Sequence, residues 1–129
     1  STCYWSPGIP RSRLERAIAH SLCFAAYDTT QPRAAGTTLP ALVGFARVVT
    51  DHATFAYLCD VFVLESHRGR GISKDLMRTI LADPRLQGLR RFTLMTRDAQ
   101  GLYSQFGFTH EPDPTRYMAR RDTESYKRD

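Results

Sequence analysis

Apolar and polar residues change their period several times along this chain, and each change marks an element. Leu14, Ala17, Ile18 and Leu22 recur at helical spacing behind Ser12-Arg13-Leu14-Glu15, which has the form of a capping box. A helix over 12–21 lying on a sheet is expected. The short apolar run 22–27 reads as a strand, and the polar, Pro- and Gly-bearing stretch 28–40 as a turn-forming connection within one domain. Two longer apolar runs, 41–49 and 54–64, flank the turn-like Thr50-Asp51-His52-Ala53 and predict an antiparallel hairpin. Gly69 and Gly71 then break the strand pattern, and Leu76, Met77, Ile80 and Leu81 form a helical stripe that stops at Asp83-Pro84. Beyond it, 91–96 reads as a strand, 98–106 as a short helix ended by Gly107, and 108–110 and 116–119 as two closing strands. The fold class that results is α/β (α+β): a mixed, mostly antiparallel sheet flanked by helices, with one helical crossover bringing the chain back parallel.

Composition narrows the setting. The 129 residues suffice for one domain, 1–129, with a hydrophobic core, and 42% hydrophobic with 24% charged residues is ordinary for a soluble globular protein. No apolar run approaches the roughly 20 residues of a membrane span, and the first ten residues lack the apolar core of a signal peptide, so a cytoplasmic protein with no membrane partner is expected. Cys3, Cys23 and Cys59 are widely spaced, and His20, His52, His67 and His110 form no metal-binding pattern with their neighbours. Free thiols and no metal are expected. The net charge of +5 favours anionic partners, and the arginines locate it: Arg68 and Arg70, Arg90 and Arg91, and a basic tail whose last residues, 120–129, are expected to fray.

The informative segment is 61–73, Val-Phe-Val-Leu-Glu-Ser-His-Arg-Gly-Arg-Gly-Ile-Ser, which carries a strand through a glycine turn directly into a helix. Helix N-terminal amides without internal partners, reinforced by the helix dipole and approached closely over glycines, make an anion site suited to a pyrophosphate. A P-loop needs G-x-x-x-x-G-K-[ST], but these glycines are two apart and Ser73-Lys74 has the reverse order. A dinucleotide fingerprint needs G-x-G-x-x-G, but counted from Gly69 the sixth residue is Lys74. The pattern [QR]-x-x-G-x-[GA] remains, met by Arg68 to Ser73 with Ser73 in place of the final Gly or Ala.

This segment resembles the acetyl-CoA pyrophosphate loop of the GNAT superfamily, and Gly101-Leu102-Tyr103-Ser104-Gln105-Phe106-Gly107-Phe108 is similar to that family's second signature, a helix bearing Leu-Tyr followed by Gly-Phe. The order of elements from Leu22 to Ala119 agrees with the family, although its usual first strand has no counterpart before Cys3, and Thr96-Arg97-Asp98-Ala99 lacks an asparagine many members carry. The resemblance implies a transfer of an acetyl group from acetyl-CoA, as co-substrate, to a primary amine by direct attack in a ternary complex. It implies that the backbone of Val61, Phe62 and Val63 pairs with the pantetheine amides. It also implies that Arg68, Gly69, Arg70, Gly71, Ile72 and Ser73 hold the pyrophosphate and that Tyr103 protonates the departing thiolate. The acceptor would be a small-molecule or peptide amine, the protein a monomer or homodimer, and Tyr4, Trp5, the first helix, Phe55 and Tyr57 would shape the acceptor pocket.

Chemistry is consistent with these roles. A phenol, with a pKa of about 10, is a reasonable donor to a thiolate whose thiol has a pKa of about 8.5, and an amine of similar pKa must lose a proton before it attacks. Asp60, in an apolar strand, is either the carboxylate that takes that proton or the partner of an arginine such as Arg47. Tyr103 is either the acid or an aromatic packed beside Phe106. Two other readings of the chain stay open: a non-catalytic acyl-CoA-binding domain, and a nucleic-acid module using Arg68-Gly69-Arg70-Gly71. The second expects basic and aromatic surface spread along a groove, which one short basic turn does not supply.

Overall fold

The computed structural model describes residues 8–30 and 40–128. Its elements run α1 (Arg11–Ala19), β1 (Leu22–Asp28), β2 (Ala41–Thr50), β3 (Phe55–Val63), α2 (Ile72–Ala82), β4 (Arg91–Leu94) and α3 (Gln100–Ser104). One sheet holds the strands in the order β1-β2-β3-β4. The first two pairings are antiparallel, and β4 returns parallel to β3 through α2. The mixed sheet with one crossover is thus the one the hydrophobic pattern predicts.

The turn between β2 and β3 is fixed by side chains rather than glycine. Asp51 accepts from the amides of Ala53, Thr54 and Phe55 and from the Thr54 hydroxyl, while His52 takes a left-handed φ of 65°. A carboxylate that replaces missing backbone partners in this way closes a tight connection at little cost.

Alternation along the strands puts Leu22, Phe24, Ala46, Val48, Ala56 and Leu58 on one face, where α2 lays Leu76, Met77 and Ile80 on them. Met77 and Ile80 are among the most deeply buried side chains, and burying each contributes roughly 1.5–3 kcal/mol. That helix therefore cannot drift on the sheet. Its first turn sits especially close over Gly44, where a Cβ would lie 3.2 Å from Ile72 Cγ2 and 3.4 Å from Leu76 Cδ1. Glycine at this point sets how near the start of α2 comes to β2.

Three expectations need correction. Ser12 and Glu15 do not form a capping box: α1 starts at Arg11 behind Pro10 with no side-chain cap, and Glu15 reaches back to Arg11 at 2.8 Å, four residues away. Nor does α1 bury a stripe on the sheet, since none of its residues is buried. It is tied to the sheet through polar groups instead, Ser21 Oγ donating to Ala17 O and accepting from Arg47 Nη1 at 2.9 Å. The closing strands at 108–110 and 116–119 are absent: the first has no regular structure, and a turn at Pro114–Arg116 takes up the start of the second. Phe108 is instead drawn into the core beside Phe92 and Tyr103, and Pro112 and Pro114 interrupt the chain beyond it. Near the C-terminus Ser125–Lys127 form a turn, with the Arg13 guanidinium 5.7 Å from the Tyr126 ring centre.

Candidate active site

The site arises where two neighbouring strands part. β3 pairs with β4 from Phe55↔Arg91 to Leu58↔Leu94, and then β3 runs on to Val63 while β4 ends. A cavity of about 1190 Å³ occupies the gap, walled by 58–65 on one side and by Leu94, Met95, Thr96, Ala99 and Tyr103 on the other.

A bulge in β3 helps to open it. The pairing with β2 shifts between Phe45↔Phe62 and Arg47↔Cys59, so Asp60 and Val61 face the single residue Ala46. Asp60 takes a left-handed φ of 54°, a conformation that Asp tolerates better than most residues. Its carboxylate accepts from Arg47 Nε at 2.7 Å, with both side chains 17% exposed. The ion pair therefore exists, and it closes the bulge from the neighbouring strand. Beyond the bulge, Leu64 N–H donates to Val43 O on β2. The alternation of an antiparallel strand then turns the amides of Val61 and Val63 the other way, into the gap. Of the three residues 61–63, the two valines turn their backbone N–H groups toward the cleft.

At the end of the gap the chain forms a 3-10 turn, Glu65–His67, followed by the glycine turn and α2. Gly69 and Gly71 have φ of 79° and 78°, and a Cβ on either would meet nothing within 4 Å. They are there for their backbone conformation and leave open space beside it. Gly71 is the N-cap of α2, and among the described residues no side chain caps that helix, so none of them occupies its first-turn amides as a capping group. Arg68 folds back over the strand, Nε donating to Val63 O at 3.2 Å, while Ser73 lines the cavity. Arg68 to Ser73 thus form the uncapped, glycine-shaped turn that the spacing predicts.

Tyr103 lies on the opposite wall, 8% exposed, with its ring edge-on to Phe108 at 6.0 Å. Phe106, the aromatic neighbour the sequence points to, packs against the core cluster that contains Tyr103, and the turn at Gly107, with φ of 88°, brings Phe108 onto the Tyr103 ring as well. Thr96 Oγ1 accepts from the Ala99 amide at 3.0 Å and so fixes the approach to α3. Cys59, on the same cleft, has its thiol pushed up to about 11, chiefly by burial, and at neutral pH it is a protonated, unreactive thiol. Tyr57 also lines the cleft, whereas Phe55 does not, and Tyr4 and Trp5 lie outside the described residues.

Sequence reasoning missed His67. It is the buried polar residue of the described chain, 6% exposed, and its Nε2 lies 2.7 Å from Asp28 Oδ2 at the end of β1. No spacing rule connects residues 28 and 67; burial beside a glycine loop is the signal. Among the described residues no cluster of His, Cys, Asp and Glu could hold a metal ion, and no helix is long and apolar enough to cross a membrane.

Comparison with known proteins agrees with this geometry. An acetyltransferase (GNAT) domain model matches residues 19–110. A crystal structure of a GNAT-family protein from Xanthomonas campestris pv. campestris is 48% identical, with a TM-score of 0.83 over 96% of this chain and 80% of that one. The chloroplastic serotonin N-acetyltransferase 2 of Oryza sativa subsp. japonica is 33% identical over 87% of this chain and 56% of its own length. AAC(6')-Iy, solved with the bisubstrate analog CoA-S-monomethyl-acetylneamine, shares the fold with a TM-score of 0.62 at 22% identity, over 90% of this chain and 84% of that one. The chain spans 63%, 56% and 46% of the first curated relatives it matches. A model covering most of the chain, together with the parted strands, the glycine turn and the Leu-Tyr helix, identifies the chain as a member of the GNAT acetyltransferase family.

Proposed function

We propose that this chain carries out acetyl-CoA-dependent N-acetylation of a primary amine. The observation that carries the reading is the parting of β3 from β4, because three requirements of the reaction meet in that one cleft. The inward-facing amides of Val61 and Val63 suit an extended pantetheine, which would continue the sheet where β4 leaves it. The uncapped start of α2 behind Gly69 and Gly71 suits the pyrophosphate. Tyr103 on the far wall suits a proton donor to the sulfur.

In this reading the amine nitrogen attacks the thioester carbonyl directly. The C–N bond forms, the C–S bond breaks, and Tyr103 gives its proton to the leaving thiolate. The amine enters as the neutral base or loses its proton to Asp60, a carboxylate on the same cleft whose charge Arg47 balances. A covalent acyl-cysteine is disfavoured, since the protonated Cys59 is a weak nucleophile. The named relatives concern different amines, serotonin in one and a neamine derivative in another, and what they have in common is the amino group. The acceptor class proposed here is therefore a primary amine on a small molecule or peptide.

Thermal unfolding tests the co-substrate. At 100 times its dissociation constant acetyl-CoA stabilises by about 2.7 kcal/mol, which moves the midpoint by several degrees, whereas ATP and NAD shift it much less. Equal shifts from ATP would remove the loop as a selective site. Release of free CoA thiol across a panel of amines, with mass analysis of the product, then identifies the acceptor. Binding with no thiol release for any amine would favour a non-catalytic acyl-CoA-binding domain.

A further inference from the structure

We propose that Asp28 and His67 form a part-buried pin that holds the phosphate-binding turn in place, which makes His67 a positioning residue for acyl-CoA; this rests on reading Arg68 to Ser73 as the phosphate loop. The two residues lie 39 apart in sequence, and their side chains are only 11% and 8% exposed. His67 ends the 3-10 turn immediately before Arg68, and Asp28 ends β1, so one contact ties the start of the loop to the edge of the sheet.

Every polar atom of the pin is satisfied. Asp28 Oδ1 accepts from the Thr30 amide at 2.8 Å and from its hydroxyl at 2.6 Å, and Oδ2 meets His67 Nε2. The carboxyl is held well below the usual carboxylate range, first by the Thr30 hydroxyl and next by His67. The other ring nitrogen, Nδ1, is 2.8 Å from Ser66 Oγ. An ionised carboxylate can only accept, so Nε2 carries the proton given to Asp28, while the Ser66 hydroxyl can turn to donate to Nδ1. Such a unit has little freedom to rotate.

The loop needs this support because it has almost none of its own. Two left-handed glycines lie within it, and nothing packs against the Cβ position of either. Glycines are costly to order, so the loop's shape must be set from its ends. At the far end, Ile72 is seated over Gly44, and Asp75 N–H closes on Gly71 O at 3.0 Å. At the near end, the buried anchor is His67. A loop ordered before the ligand arrives spares the ligand that ordering cost.

The test compares wild type, His67→Ala, His67→Gln, Asp28→Ala and the double Ala variant. Readouts are CoA affinity by calorimetry, the KM values for acetyl-CoA and amine, and kcat at saturation. His67→Ala and Asp28→Ala should each weaken CoA about tenfold and raise the acetyl-CoA KM to match, leaving kcat and the amine KM within about twofold. His67→Gln, whose amide can still donate to Asp28, should recover most of the loss. The double variant should bind CoA no more weakly than either single one, because both remove the same contact. Unchanged CoA affinity in a folded His67→Ala or Asp28→Ala protein overturns the pin, as does a kcat loss at constant KM or a double variant whose loss is the product of the singles. If His67→Ala does not fold, His67→Gln and Asp28→Ala carry the decision on the same criteria. Wild type that fails to bind CoA would overturn the reading of the loop itself, which separates the two failures.

Discussion

Replacing Tyr103 by Phe should lower turnover about a hundredfold or more while CoA affinity stays nearly constant. The substitution deletes only the hydroxyl and keeps the ring that meets Phe108 edge-on, so the core on that side of the cleft is preserved. Loss of a positioned proton donor acts on the transition state, where the C–S bond is breaking, and not on the bound co-substrate. A tyrosine present only for packing would behave differently: turnover would stay near normal, and stability would change by about the value of one hydrogen bond, roughly 0.5–1.5 kcal/mol. The alkaline side of the rate profile gives a second readout. A phenol donor produces a fall in rate as it ionises, and the Phe variant should lack that fall. Wild-type turnover with the alkaline fall retained would exclude Tyr103 as the acid.

Gly71→Val should abolish measurable acetyl-CoA binding. Two effects act together. At φ of 78° a β-branched residue is strained, so the turn tends to leave the conformation that aims the α2 amides. The open space beside Gly71, where nothing lies within 4 Å of a Cβ, is also where a pyrophosphate would approach the backbone, and a branched side chain fills it. None of the described residues crowds that position. The folded core should therefore survive, losing about 1–2 kcal/mol for the left-handed residue. Arg68→Ala should weaken binding more mildly, since it removes a side chain at the surface and leaves the backbone turn intact. Calorimetric titration of CoA, with a melting curve on the same sample, distinguishes a lost site from a lost fold. Retained affinity in folded Gly71→Val would show that this turn does not hold the phosphates.

The loop is legible in the sequence because its requirements are local. Strand, left-handed glycines and helix start lie within thirteen consecutive residues, and their spacing excludes the other phosphate-binding turns. The hairpin and α2 are legible for the same reason, through alternation and helical period. What the sequence hides is set by contacts between distant residues. Phe108 has the composition of a strand residue, but the aromatic space beside Phe92 and Tyr103 captures it. Ser12 and Glu15 have the letters of a capping box, yet the helix begins before them, and Arg11 gives Glu15 a nearer charge. A pair with Arg47 is one of the two roles the sequence allows Asp60, but the left-handed bulge that the pair closes leaves no mark on the pattern. Asp28 and His67 come together only when β1 and the end of β3 are in one sheet.

The parting of the strands also divides β3 along its own length. From Ala56 to Leu58 the strand lies between paired neighbours, and Leu58 is only 3% exposed. A few residues later, Val61 and Val63 turn their amides to an open gap. Solvent exchange of amide hydrogens should therefore change abruptly within one strand: slow, at the rate of global unfolding, up to Leu58, and fast at Val61 and Val63 without any unfolding at all. Acetyl-CoA should slow the second group and leave the first almost unchanged. On this view the strand is a boundary between two exchange regimes, rigid where it closes the core and solvent-coupled where the ligand completes it.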